Sequence, residues 1–265
     1  MAKQLGRKLA NLRRKRILLT NDDGINAPGM KVLQRIARSL SNDVWVVAPE
    51  GEHSGASHSL TLTAPLRLRK ISAKKFAVEG TPTDCVMMAM NQVMADNPPD
   101  LLLSGVNRGA NLGQDVTYSG TIAAAMESTL LGVPSIALSQ YYEDGKYIKW
   151  KTAERWGVKT VRALLKAGWP ENILINVNFP DLSAAKVRGI RAGKQGEHEV
   201  WDAFEERIDP RGRTYYWIGM DQVEGGPAAP GTDLRAVKDG YVAITPLHLD
   251  LTHRPTLNRL KKTFS

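Results

Sequence analysis

The sequence has a single cysteine, Cys85. That excludes an intramolecular disulfide and a multi-cysteine zinc site. No run of about 18 apolar residues occurs, so no membrane-spanning helix and no membrane partner are expected. The N-terminus lacks the apolar core of a signal peptide. Acidic residues are missing from residues 1–16, which carry Lys3, Arg7, Lys8, Arg13, Arg14, Lys15 and Arg16. Those seven charges account for most of the net charge of +9 and leave only +2 for the rest. Basicity spread over a face would indicate a nucleic-acid binder. Here it is concentrated in a terminal arm, so residues 1–15 are expected to be a flexible, solvated extension, and nucleic acid is not an expected partner. The arm resembles a transit peptide only weakly, since it has no serine. A soluble, cytoplasmic protein is expected. Its 265 residues allow one large domain, or a domain with an elaborated end, around a sizeable core.

What is there alternates strand and helix patterns. Ile17–Thr20 reads as a buried strand. Pro28 opens a helix with Val32, Leu33, Ile36, Ala37 and Leu40 at helical spacing, and "DVWVVAP" (Asp43–Pro49) is a second strand. Such a unit predicts a parallel sheet with right-handed crossovers. Residues 60–79 break the rhythm: "LTLTAPLRLRK" alternates, which predicts an antiparallel excursion or flap. Thr81 is placed to cap a helix with Pro82 at its first position and Asp84 in its first turn. "DLLLSG", "VPSIALS" and "NILINVNFP" read as strands, while Trp150–Ala167 and a stretch within "YSGTIAAAMESTLLG" read as helices. After about Asp181, "VRGIRAGK", "RTYYWIGM" and "GYVAITPLH" read as strands or hairpin arms between Gly- and Pro-rich stretches. The expected organisation is an α/β core over 16–180 and a β-rich elaboration over 181–265. Arms without a core of their own suit packing on a second subunit.

In an open α/β sheet, ligands bind beyond the carboxyl ends of the strands. Three polar loops should meet there. Asp22 and Asp23 follow the first strand, "PEGEHSGASHS" the second, and "SGVNRGANLGQD" the "DLLL" strand. Adjacent carboxylates share a site when a cation offsets their repulsion or one is protonated. Hard oxygens suit Mg²⁺, Mn²⁺ or Ca²⁺. "NDDG" is also a good turn sequence, and on spacing alone metal binding and turn chemistry both stand open. Ser54 and Asn107 offer neutral oxygen ligands. The glycine loop is neither a P-loop nor G-x-G-x-x-G. Ser119 or Thr121 caps a helix whose first-turn amides favour phosphate. A cation site beside such a helix end suggests phosphate-ester chemistry.

Five ordered stretches, "ILLTNDDGINAPG", "VVAPEGEHSGASHSLTL", "EGTPTDCV", "DLLLSGVNRGANLGQD" and "YSGTIAAAMES", resemble the stationary-phase survival protein SurE family. "YYWIG" and "GYVAITPLH" fit it too, so the resemblance covers about residues 16–260. It implies a metal-dependent nucleotidase that hydrolyses nucleoside 5′- and 3′-monophosphates. The implied fold is a Rossmann-like, mainly parallel sheet core with a β-rich C-terminal extension exchanged between subunits, hence a homodimer or homotetramer. It implies one divalent metal ion per subunit, Mg²⁺ or Mn²⁺ with Ca²⁺ able to occupy the site. By motif the ligands fall on Asp22, Asp23, Ser54 and Asn107, and Ser119, Gly120 and Thr121 lie beside the phosphate. The sequence departs from the family at His53, where arginine is more frequent, and at Tyr118, where histidine is frequent.

The expected mechanism is attack of water on phosphorus. Asp22 is mainly a ligand and Asp23 the candidate for orienting or deprotonating the water, though two carboxylates on one cation titrate together. Ser119, Gly120 and Thr121 would stabilise phosphoryl charge, with Asn107 near the phosphate. His58 is a candidate acid, more readily a loop histidine without a catalytic role. An aspartate nucleophile is disfavoured, because haloacid-dehalogenase-like phosphatases resemble D-x-D and these acids are adjacent. The competing readings are a non-catalytic nucleotide-binding regulator, a broad acid phosphatase or polyphosphatase, and a nucleic-acid binder driven by the arm.

Overall fold

The structure, a computed structural model, describes residues 12–143, 147–197, 200–222 and 228–264. Strands β1 (Arg16–Thr20) and β2 (Asp43–Pro49) flank helix α1 (Pro28–Leu40). A hairpin of β3 (Leu68–Ser72) and β4 (Lys75–Val78) follows, then α2 (Pro82–Met88) and β5 (Leu101–Arg108). Next come α3 (Gly120–Leu130), β6 (Ser135–Gln140), α4 (Trp150–Ala167) and β7 (Ile173–Phe179). The remainder holds β8 (Ile190–Ala192), β9 (Val200–Ile208), β10 (Thr214–Gln222), α5 (Asp233–Lys238), β11 (Val242–His248) and α6 (Arg254–Phe264).

The main sheet runs β3-β4-β2-β1-β5-β6-β7-β11-β8. Strands β4, β2, β1, β5, β6 and β7 are mutually parallel, and β3 and β11 are antiparallel to their neighbours β4 and β7. This is an α/β fold. From β1 the chain moves outward to β2 and later returns to the other side at β5, so the order reverses between β1 and β5. A crevice opens at such a switch point.

Helices cover both faces, which is why the central strands are continuously apolar rather than alternating. Ile17 and Leu19 of β1 face a core with Leu33 and Ile36 of α1 and Val161 of α4. Leu18 faces the opposite way, into a core with Val47, Cys85, Val86 and Ile122 under α2 and α3. Each fully buried aliphatic side chain in these layers contributes about 1.5–3 kcal/mol. The α2 cap is a reciprocal one: the Thr81 hydroxyl accepts from the Asp84 amide at 3.1 Å, and Asp84 accepts from the Thr81 amide at 2.8 Å.

Two regions differ from the sequence reading. Residues 60–67 of the expected excursion form no strand; the hairpin begins only at Leu68. The C-terminal part is not only β: α5 and α6 are helices, and β8 and β11 complete the main sheet rather than standing apart. Pairing to β7 decides the fate of β11, a long-range effect that local pattern does not carry. The β9–β10 hairpin forms a second sheet of its own. Of the basic arm, residues 1–11 lie outside the described residues. Leu12 packs against the core, Lys15 Nζ pairs with Asp100 at 2.9 Å, and the Arg16 guanidinium pairs with Asp43 at 2.9 Å. The described end of the arm is therefore fastened to the domain.

Candidate active site

The site is built at the carboxyl ends of β1 and β5. After β1 the chain turns at once: the Asn21 side-chain amide donates to the Gly24 carbonyl at 2.9 Å, and the Ile25 amide to the Pro49 carbonyl at 2.8 Å. Gly24 sits at φ +95°, and a Cβ there would meet the Gly51 carbonyl oxygen at 3.0 Å. Only glycine fits both demands. The turn lets the side chains of Asp22 and Asp23 serve one region despite their adjacency.

Asp22 is buried at 5% exposure. The Thr121 hydroxyl donates to its Oδ1 at 2.5 Å and the Thr121 amide to its Oδ2 at 3.1 Å. Helix α3 reaches it because residue 120 is glycine: a Cβ there would stand 2.9 Å from the Asp22 Cβ and 3.1 Å from Oδ2. Ser119 caps the same helix, accepting from the Ile122 amide at 3.1 Å. Asp23 Oδ2 accepts from the Arg108 amide at 3.2 Å, which fixes it beside the end of β5. The Asn107 side-chain amide donates to the Gly109 carbonyl at 3.1 Å. The loop after β2 arrives through the His53 amide, which donates to the Asp22 carbonyl at 2.8 Å. Ser54 is exposed and its hydroxyl donates to Glu52 Oε1 at 2.8 Å.

The three loops and the helix end named from the sequence therefore meet around Asp22 and Asp23. The Thr121 hydroxyl and amide both donate to Asp22, so Thr121 orients a carboxylate. His58 Nε2 lies 3.0 Å from Glu127 Oε2 on α3, and Ser57 donates to the Thr117 and Tyr118 carbonyls. These contacts fasten the serine loop to α3. Tyr118 is half exposed. Two neighbours escaped the sequence reading. Glu52 is close enough for its charge to push both aspartates upward, and Arg108 is close enough to pull Asp23 down. Glu52 precedes Ser54 by two residues in a polar loop, which is a usable signal; nothing in "NRG" marks Arg108 as a neighbour of Asp23.

Burial is the largest influence on both carboxyls. It raises Asp22, against the pull of Thr121, and with the Asp22 charge it raises Asp23 to about 6. Among the described residues neither carboxylate makes a salt bridge with a lysine, arginine or histidine. A buried and a half-buried carboxylate side by side, with no salt bridge and only the Arg108 charge nearby, are a charge deficit that a divalent cation would offset. The donor set fits one of the hard type: carboxylate oxygens from Asp22 and Asp23 with neutral oxygens from Ser54 and Asn107. No group of three or more His, Cys, Asp or Glu side chains that could hold a metal occurs among the described residues. A groove of about 450 Å³ lies at the opposite, amino edge of the sheet between Pro98, Val133 and Trp169.

A family model described as survival protein SurE matches residues 17–202. A protein named 5′-nucleotidase SurE from Paramagnetospirillum magneticum is 57% identical over 249 residues, covering 94% of this chain and 95% of that protein. One of the same name from Rhizorhabdus wittichii is 56% identical over 248 residues, covering 91% and 96%. The crystal structure of the SurE protein from Aquifex aeolicus superposes with a TM-score of 0.81 at 41% identity, covering 94% of this chain and 99% of that one. No helix among the described residues is long and apolar enough to cross a membrane. The chain belongs to the SurE family of survival proteins.

Proposed function

We propose that this chain is a 5′-nucleotidase, a metal-dependent phosphomonoesterase that converts nucleoside 5′- and 3′-monophosphates to nucleoside and phosphate. The relatives' names supply the activity. The observation that ties it to this chain is the adjacent pair Asp22–Asp23, the first buried and the second half-buried, without a salt-bridge partner among the described residues, at the β1/β5 switch point and facing the N-terminus of α3. A divalent cation, Mg²⁺ or Mn²⁺, held by Asp22, Asp23, Ser54 and Asn107 would supply the charge that polarises a phosphoryl oxygen.

The chain's own groups divide the remaining work. Thr121 locks Asp22 into one orientation. Asp23 is the more accessible carboxylate and is the candidate for orienting or deprotonating the attacking water. Ser119 and Gly120 present the positive end of α3 to the phosphoryl group. Asn107 keeps its amide N–H₂ occupied and its Oδ1 available. The division between catalytic regions at 16–180 and an assembly region at 181–265 belongs to this proposal. The β9–β10 hairpin exposes Phe204, Ile208 and Ile218 on one face and Trp217 on the other, apolar side chains that suit a second copy in a homodimer or homotetramer. A cytoplasmic location is part of the same reading.

The test is phosphate release from a panel of nucleoside monophosphates, with and without Mn²⁺ and Mg²⁺. Metal-dependent release supports the reading. Binding of AMP without release, in metal-supplemented protein, would turn it toward a nucleotide-binding regulator.

A further inference from the structure

Arg108 ends β5 immediately after Asn107. Its amide is committed to Asp23 at 3.2 Å, and its side chain is exposed. Among the described residues the guanidinium pairs with no carboxylate. It is held instead by a neutral group: Nε donates to the Tyr142 hydroxyl at 3.3 Å, with the guanidinium carbon 5.7 Å from the ring centroid. Tyr142 lies two residues past the end of β6, on the same carboxyl edge. The guanidinium is thus oriented without being neutralised, and its charge is still felt at Asp23.

The charge balance of the site gives this arrangement a purpose. Asp22, Asp23 and Glu52 carry up to three negative charges around one divalent cation. A phosphate monoester adds about two more at neutral pH. Without a further positive group the site repels its substrate. An arginine fork matches phosphoryl oxygens in shape and retains its charge at every working pH. Orientation by Tyr142 lowers the entropy lost when the fork engages.

We propose that Arg108, presented by Tyr142, is an anion-binding residue of this site that takes the phosphate group of the substrate and of the product. The inference rests on the nucleotidase reading for its substrate but not for its test, because phosphate binding is measurable without turnover. Tyr142 is a positioning residue that acts through Arg108.

The test uses the full chain loaded with Mg²⁺ and inorganic phosphate as the probe, followed by calorimetry, with Mg²⁺ affinity measured separately. Arg108→Ala should weaken phosphate binding about tenfold or more, the loss of one charge-assisted contact, while Mg²⁺ affinity stays within about twofold. Arg108→Lys should recover part of the loss, since it restores charge without the fork. Tyr142→Phe should weaken phosphate binding by less than Arg108→Ala, and should have no effect in the Arg108→Ala background. In turnover, the KM for AMP should rise in step with the phosphate dissociation constant. Unchanged phosphate affinity in Arg108→Ala would overturn the proposal. So would a loss of phosphate binding explained wholly by lost Mg²⁺. Wild-type protein that binds phosphate through Arg108 yet releases none from any nucleotide would overturn the nucleotidase reading and support the anion site.

Discussion

Thr121 occupies both oxygens of Asp22, with its hydroxyl 2.5 Å from Oδ1 and its amide 3.1 Å from Oδ2. One residue thereby fixes the carboxylate's plane. The first turn of α3 serves the acid directly through Thr121.

Replacing Thr121 by Val keeps the shape and removes the hydroxyl. Oδ1 of a buried carboxylate then loses a partner, at a cost of about 1–3 kcal/mol in the metal-free protein. Metal affinity should fall as well, since Asp22 is less well oriented. Chemical denaturation and a metal titration measure the two effects. A variant as stable as wild type, with unchanged metal affinity, would remove Thr121 from this role.

Asp23 gives a pH signature in metal-free protein. Its carboxyl is raised from an ordinary 3.8 to about 6, first by burial and then by the Asp22 charge. A raised carboxyl favours folding while protonated. That contribution is present below about 4 and is lost as pH rises through about 6. At pH 7.5 the ionised group costs roughly 2–3 kcal/mol. Asp23→Asn should therefore raise the Tm of chelator-treated protein at pH 7.5 and have little effect near pH 4. Protons also compete with the cation, so wild-type metal affinity should fall below about pH 6. An equal Tm shift at both pH values would contradict the burial argument.

Asn107 should show its role in metal binding before catalysis. Asn107→Ala removes one neutral oxygen from the set, and the metal concentration for half-maximal activation should rise by about tenfold, the effect of one lost contact to a charged group. Metal affinity equal to wild type would exclude Asn107 as a ligand.

Asp233 links the C-terminal part to the loop that follows Asn107. It is fully buried and accepts from the amides of Gly113 at 3.1 Å, Gly196 at 2.8 Å and Leu234 at 2.8 Å. Asp233→Ala strands three donors from different segments, and a loss of about 3 kcal/mol or more is expected from denaturation. Faster amide exchange at Gly113 and Gly196 would locate the damage. Wild-type stability would mean that these amides find other partners.

The elements that were legible in the sequence are those that carry their own punctuation. Pro28, the Thr81-Pro82 cap and the 18-residue pattern of Trp150–Ala167 all mark real helices at their stated ends. β2 was readable because its apolar run is bounded on both sides. β9 was not: "VWDAFEERI" gains its strand identity from pairing with β10, residue against residue from Thr214–Ile208 to Gln222–Val200. α6 escaped although Leu257, Leu260 and Phe264 stand at helical spacing; none of its residues is buried in the chain. α5 is six residues long, and only its Thr232-Asp233 cap announces it. At the site, the adjacency of Asp22 and Asp23 and the rule that ligands gather at strand ends named the loops that meet. What stayed hidden were the pairings across long sequence gaps: Thr121 with Asp22, His58 with Glu127, Arg108 with Tyr142. These depend on how loops fold over the sheet edge, and no local pattern encodes them.

The central claim is that a divalent cation on the Asp22–Asp23 pair makes this chain a nucleotidase. Phosphate release from AMP should be measured in wild type, Asp22→Asn and Asp23→Asn, each first stripped with chelator and then resupplied with Mn²⁺. The account predicts no release from stripped wild type, recovery on adding Mn²⁺, and no recovery in either variant, although both remain folded. Undiminished release from stripped wild type, or near-normal turnover in either variant, would contradict it.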